Sequence, residues 1–165
     1  MKKKVIKKQP NAKHCFICGM SNDKGLKAQF YETENNELIA LFTPHTHHQS
    51  FPERVHGGIS AAILDELIGR CLQIGDPDCW AVTVEMNVKY HKPLPYDVQL
   101  KAIGRIDKNQ RLLAEGTGEI FTQDGEVAVS ASAKYMKFPV DKITTEKFEG
   151  DDWKVYDFPD DPEEI

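Results

Sequence analysis

Apolar positions recur along this chain in two rhythms. From Val55 to Gly75, VHGGISAAILDELIGRCLQIG, the residues Ile59, Ala62, Ile63, Leu64, Leu67, Ile68, Cys71, Leu72 and Ile74 fall on nearly every side of a 3.6-residue wheel. That spacing predicts one long helix, buried almost all round. Elsewhere the period is two. Trp80 to His91 alternates, with Val82, Val84, Met86, Val88 and Tyr90 on one face, Thr83, Glu85, Asn87 and Lys89 on the other, and stops at Pro93 and Pro95.

Shorter strands are expected at Leu26 to Glu32 and Glu37 to Thr43, around a Thr33-Glu34-Asn35-Asn36 turn, after a looped lead-in over residues 15–26. Three more are expected at Asp97–Ile106, Arg111–Thr122 and Val127–Phe138. Asp107-Lys108-Asn109-Gln110 and Gln123-Asp124-Gly125-Glu126 are turn-like and short, which makes consecutive strands antiparallel. Gly104, Gly116 and Gly118 lie inside those strands, where glycine marks a bulge or the close approach of another element. One long apolar helix and one antiparallel sheet have a single economical solution: the sheet wraps the helix, an α+β architecture.

Charge separates the ends from the middle. Residues 1–14 carry six lysines and no acid, whereas residues 141–165 carry ten Asp/Glu against three Lys, within a net charge of −5. The expected organisation is a basic N-terminal tail (1–14), one folded domain (15–138) and an acidic C-terminal tail (139–165) in which Phe148, Trp153, Tyr156 and Phe158 could dock. The lysines lack interleaved aromatics, so a solvated tail is expected rather than a nucleic-acid site. No apolar stretch follows them, so no secretory signal or membrane span is expected and a cytoplasmic location is.

The four cysteines make no disulfide framework in such a chain. Cys15 and Cys18 form a C-x-x-C with His14 beside it and His45, His47 and His48 downstream, but without a second regular ligand pair the expected reading is a tight turn and no metal.

Chemistry concentrates at the helix. Gly57 and Gly58 follow His56 at its start, where backbone N–H groups have no intrahelical partner and the dipole is positive, a setting that can hold a developing oxyanion. Asp65 and Glu66 are the only carboxylates in an otherwise apolar helix, which is costly unless they are paired or used; a buried pairing with Arg70 or Lys89 is the plainer alternative for Asp65. Gly58 and Asp65 are seven residues, roughly 10 Å of rise, apart. One reacting carbonyl reaches both only if two antiparallel copies of the helix supply one group each, so a homodimer is expected. In the preceding loop, PHTHHQSFPER, His48 and Gln49 are candidate substrate contacts; Glu66 and Asn87 are added to that set.

The ordered motifs V-H-G-G-I at 55–59, Asp65 nine residues after His56, Thr83-VEMNVKYHKPLP, the lead-in Cys15-FICGMSNDKG-Leu26 and His48-QSFP resemble the hotdog-fold acyl-CoA thioesterases of the phenylacetate-degradation type, over roughly residues 15–138. The resemblance implies the hotdog fold, an antiparallel sheet around a central helix, in homodimers or dimers of dimers with sites at the interface. It implies hydrolysis of a CoA or acyl-carrier-protein thioester without a cofactor. Asp65 would be nucleophile or general base, Gly57 or Gly58 the oxyanion donor, His56 the residue that sets the turn, and Thr83 a group that orients water or the carboxylate. No Ser-His-Asp triad or phosphate-binding glycine loop is visible. The alternatives are a hotdog dehydratase or hydratase and a non-catalytic acyl-CoA-binding module.

Overall fold

The structure, a computed structural model, describes residues 2–165. Strands β1 (Val5–Lys8), β3 (Gln29–Thr33), β4 (Leu38–Phe42), β5 (Ala81–Tyr90), β6 (Leu100–Asn109), β7 (Leu113–Phe121) and β8 (Val127–Lys137) form one antiparallel sheet in the order β1-β3-β4-β6-β7-β8-β5. Helix α1 (Gly57–Arg70) lies across its concave side from β4 to β8. This is the wrapped sheet expected from the two rhythms and the hotdog fold implied by the resemblance. The short β2 (Asn11–Ala12) pairs with β9 (Trp153–Lys154), and α2 (Val140–Ile143) is a single turn.

Ile63, Leu64, Leu67 and Ile68 have no exposed surface, and burial of each such side chain contributes about 1.5–3 kcal/mol. They approach the sheet closely because it carries glycine beneath them. A Cβ on Gly116 would lie 2.6 Å from Ile68 Cγ2, and one on Gly118 2.9 Å from Ile68 Cγ1. The helix is shorter than its apolar run: residues 71–73 tighten into a 3₁₀ turn, and Gly75, at φ 79°, ends it.

Three sequence expectations change. The alternation in β5 is broken by a bulge at Val84: Thr83 pairs with Tyr135 and Glu85 with Lys134, one residue out of step. The extra residue reverses parity, so Thr83 shares the helix-facing side with Met86, Val88 and Tyr90, while Asn87 stays on the outer face. A second bulge, at Asp107, carries β6 through the expected turn to Asn109.

The third change concerns the ends. The lysine-rich start is not a free tail: β1 pairs with β3, and on its other side Lys4 bridges Glu164. Lys8 Nζ reaches Asp161 at 2.6 Å, Tyr31 donates its hydroxyl to the same carboxylate at 2.6 Å, and Lys8 also lies over the Phe158 ring. Lys8 is thus paired across the two ends of the chain, while Lys3 and Lys7 pair with Glu37 and Glu32 on the neighbouring strands. Among the described residues no helix is long and apolar enough to cross a membrane.

Candidate active site

The loop before α1 is pinned by His48. Its Nδ1 accepts from the His45 N–H at 2.8 Å, its Nε2 meets the Lys24 carbonyl at 2.8 Å, and the ring is 2% exposed. Both nitrogens are thus used internally, and the expectation that His48 touches substrate gives way to a structural role. Its carbonyl accepts the His56 N–H at 2.8 Å, and Gln49 bridges Val55, which leaves the Gln49 side chain exposed beside the helix start.

At the tip, His56 is the N-cap, and its Nδ1 accepts from the Gly58 N–H at 2.9 Å. Ile59 and Ser60 direct their N–H groups to the His56 carbonyl. Among the described residues the Gly57 N–H has no protein acceptor, so of the two glycines Gly57 is the free donor and Gly58 the capped one. Tyr90 packs its ring over Gly57 and donates to the Gly57 carbonyl at 2.9 Å.

Two turns further on, Asp65 Oδ1 accepts from Thr83 Oγ1 at 2.6 Å, the contact made possible by the Val84 bulge. Tyr135 donates to the Asp65 carbonyl at 2.9 Å and lies 3.4 Å from Oδ1. Burial, and then the nearby Asp65 charge, raise the Tyr135 phenol well above its usual pKa, so it stays a neutral donor. Gly69 leaves room for its ring, since a Cβ there would lie 3.1 Å from Tyr135 Cε1.

Asp65 opens onto a cleft of about 280 Å³ whose walls include Thr83, Tyr135, Trp80, Trp153, Cys15 and Arg70. The outer wall comes from the C-terminal segment that sequence reasoning left unplaced: Trp80 stacks with Phe148 at 5.3 Å and meets Trp153 in a tilted contact at 5.4 Å, and Trp153 covers the Arg70 guanidinium at 4.6 Å. The scattered aromatics were the only signal of this. Glu66 also lines the cleft, its Oε1 accepting from Arg70 Nε at 2.8 Å and its Oε2 3.8 Å from Cys15 Sγ. Asn87 lies on the opposite side of the sheet from Asp65, and the bulge parts it from Thr83.

Beside Glu66 stand the two sulfurs of the C-x-x-C turn. Cys18 is fully buried and accepts from Arg70 Nη2 at 3.0 Å and the Ala12 N–H at 3.3 Å, while Cys15, half-buried, accepts from the Ile17 N–H at 3.3 Å. The Cys18 hydrogen bond draws the Cys15 thiol down to about 7, and the same shared proton, with burial, pushes Cys18 up.

Residues 53–129, from the loop before α1 into β8, match the family model of the thioesterase superfamily. Over 120 residues the chain is 28% identical to the acyl-coenzyme A thioesterase THEM4 of Rattus norvegicus, covering 72% of this chain and 50% of that one. A solved thioesterase superfamily protein, RHA08564, superposes with a TM-score of 0.69 at 25% identity over 75% of this chain and 60% of that one. A phenylacetic acid degradation-related protein from Ralstonia eutropha gives 0.61 at 19% identity, over 67% and 85%, a likeness of fold. The chain thus spans half the length of the rat relative and 60% of RHA08564.

Proposed function

We propose that the protein hydrolyses acyl-CoA thioesters at two equivalent sites of a homodimer. The observation that carries this reading is the separation of the two halves of the chemistry. The free Gly57 N–H and the Thr83-bound carboxylate of Asp65 stand eight residues, roughly 12 Å of helix rise, apart in one chain. One carbonyl carbon cannot use both unless a second helix runs antiparallel to the first. β5 supports such a pairing: it is the end strand of the sheet, ten residues long, with Val84 and Tyr90 more than half exposed on it. The helix stripe Gly58, Ala61, Ala62, Asp65 and Gly69 is likewise incompletely buried in one chain.

In this mechanism the thioester oxygen accepts from the Gly57 N–H at the positive end of one α1, which stabilises the negative charge that develops there. Asp65 of the other chain acts on water. Its Oδ1 is taken by Thr83 and faces Tyr135, so Oδ2 is the oxygen that accepts the proton as water attacks the carbonyl carbon. The C–S bond breaks, the thiolate leaves, and the proton on Asp65 neutralises it. A thioester is electrophilic enough for this without a triad, and the relationship to an acyl-CoA thioesterase supports CoA as the thiol carrier. His56 acts by fixing the tip; Gln49, exposed beside it, is placed to meet the substrate.

Thiol release from a panel of aryl and fatty acyl-CoA esters tests the reading. The expected result is turnover of at least one ester by the parent and its loss in Asp65→Asn, with the dimer intact by sedimentation. Equal release by parent and variant would overturn it. Single turnover in ¹⁸O-water separates the two roles of Asp65: label entering the product acid alone supports the general base, and label recovered in the Asp65 side chain means the carboxylate attacked.

A further inference from the structure

We propose that Cys15, Cys18 and Glu66 form a binding site for one zinc-class divalent cation that fastens the C-x-x-C turn to α1. Sequence spacing alone gave two donors and no partner pair. The fold supplies the third from 51 positions along the chain, where Cys15 Sγ and Glu66 Oε2 stand 3.8 Å apart. One ligand atom from each of the three residues lies within 4.8 Å of the others, the only such group of three among the described residues. In a tetrahedral zinc site with Zn–S of about 2.3 Å and Zn–O of about 2.1 Å, the S···O edge is about 3.6 Å, so the observed edge needs almost no movement and the others a modest closure.

The surroundings are those of metal-bound thiolates. Each sulfur already accepts a backbone N–H, from Ile17 to Cys15 and from Ala12 to Cys18, and Cys18 takes a further bond from Arg70. The turn is held tight by Gly19, whose N–H bonds the Cys15 carbonyl at 2.8 Å and where a Cβ would lie 2.2 Å from that same oxygen. Glu66 is divided between its two oxygens, Oε1 on Arg70 and Oε2 toward the sulfurs.

In the bound form two thiolates and Glu66 stand against the one guanidinium of Arg70, and a divalent ion neutralises the remaining two negative charges. Soft sulfur donors select zinc over magnesium or calcium, and all three ligand residues line the cleft, from which a water would complete the shell. Binding releases the thiol protons to solvent and involves no change of oxidation state.

Cobalt(II) and zinc(II), added to the reduced, metal-stripped full-length chain, test this without reference to hydrolysis. The expected result is one equivalent of cobalt bound with a thiolate-to-metal charge-transfer band, displaced by zinc. In Cys15→Ser and Cys18→Ser the band is lost and zinc affinity drops more than about 100-fold, while Glu66→Gln keeps the band but binds at least about tenfold more weakly. Circular dichroism identifies variants that fold, and Glu66→Gln, which retains a side-chain oxygen for Arg70, tests the third donor should a serine variant not fold. Absence of a stoichiometric band in the reduced parent overturns the proposal, as does unchanged zinc affinity in Glu66→Gln. A Cys15–Cys18 disulfide on mild oxidation in a parent that takes no metal would instead make the pair a dithiol.

Discussion

Replacing Gly118 with alanine should destabilise the protein, although the same exchange at an unconstrained strand position would stabilise it. The added methyl would lie 2.9 Å from Ile68 Cγ1, 3.1 Å from Leu64 Cδ2 and 3.2 Å from Ile68 Cδ1, all on side chains with no exposed surface. Removing glycine from the unfolded chain is worth about 0.4–1 kcal/mol of stability, and overpacking a tight core costs about 1–3 kcal/mol, so Gly118→Ala should lose a net of up to about 2.6 kcal/mol, about 1.3 at the midpoints. Ile68→Ala alone should lose about 2–5 kcal/mol, because the glycines beneath it have no side chain to fill the space. In the double variant the new methyl occupies part of that space, and the loss should fall short of the sum by about 1–3 kcal/mol. Urea unfolding followed by circular dichroism, at one fixed protein concentration since assembly couples to folding, gives all four corners of the cycle. Additivity within about 0.5 kcal/mol, or a Gly118→Ala protein more stable than the parent, would refute the close helix–sheet packing.

Thr83→Ala should lower kcat by about 10–100-fold, the worth of one hydrogen bond to a charged group, and Thr83→Ser should recover most of it; an unchanged kcat in the alanine variant would separate Thr83 from the chemistry. His56→Ala removes the N-cap of α1 and should cost about 0.5–2 kcal/mol in urea unfolding, and a neutral result would show that the cap contributes nothing. Asp161→Ala leaves Lys8, whose side chain is 8% exposed, and the Tyr31 hydroxyl without their shared carboxylate, so it should cost about 1–3 kcal/mol and speed amide exchange over residues 158–165. Exchange as slow as in the parent would mean that the C-terminal segment is held by other contacts.

The features legible in the sequence were those written in local periodicity. The apolar run around Ile63–Ile68 announced a buried helix, and the strand glycines announced where it comes close, because both depend on neighbours within a few residues. The side of the sheet on which Thr83 sits was not legible. Period two presumes an unbroken pleat, and one extra residue at Val84 transfers Thr83 to the helix face and keeps Asn87 on the other. Pairings across great sequence distance were also hidden. Lys8 and Asp161 are 153 positions apart, and each read alone belongs to a solvated charge run. The role of His48 was concealed for a different reason: only its burial and two internal bonds distinguish a loop-pinning histidine from a ligand-binding one.

The most direct test of two chains sharing each site is complementation. Gly57→Pro deletes the free N–H at the first helical position, where proline is tolerated, and His56, at ψ 134°, already has the extended backbone that a following proline requires. Alone, Gly57→Pro and Asp65→Asn should each be nearly inactive in thiol release. Mixed in equal amounts and allowed to exchange subunits, half the dimers are hybrids with one intact site of two, so about a quarter of the parent activity should return. Failure of any activity to return, with hybrid dimers demonstrated by mass spectrometry, would contradict the shared site.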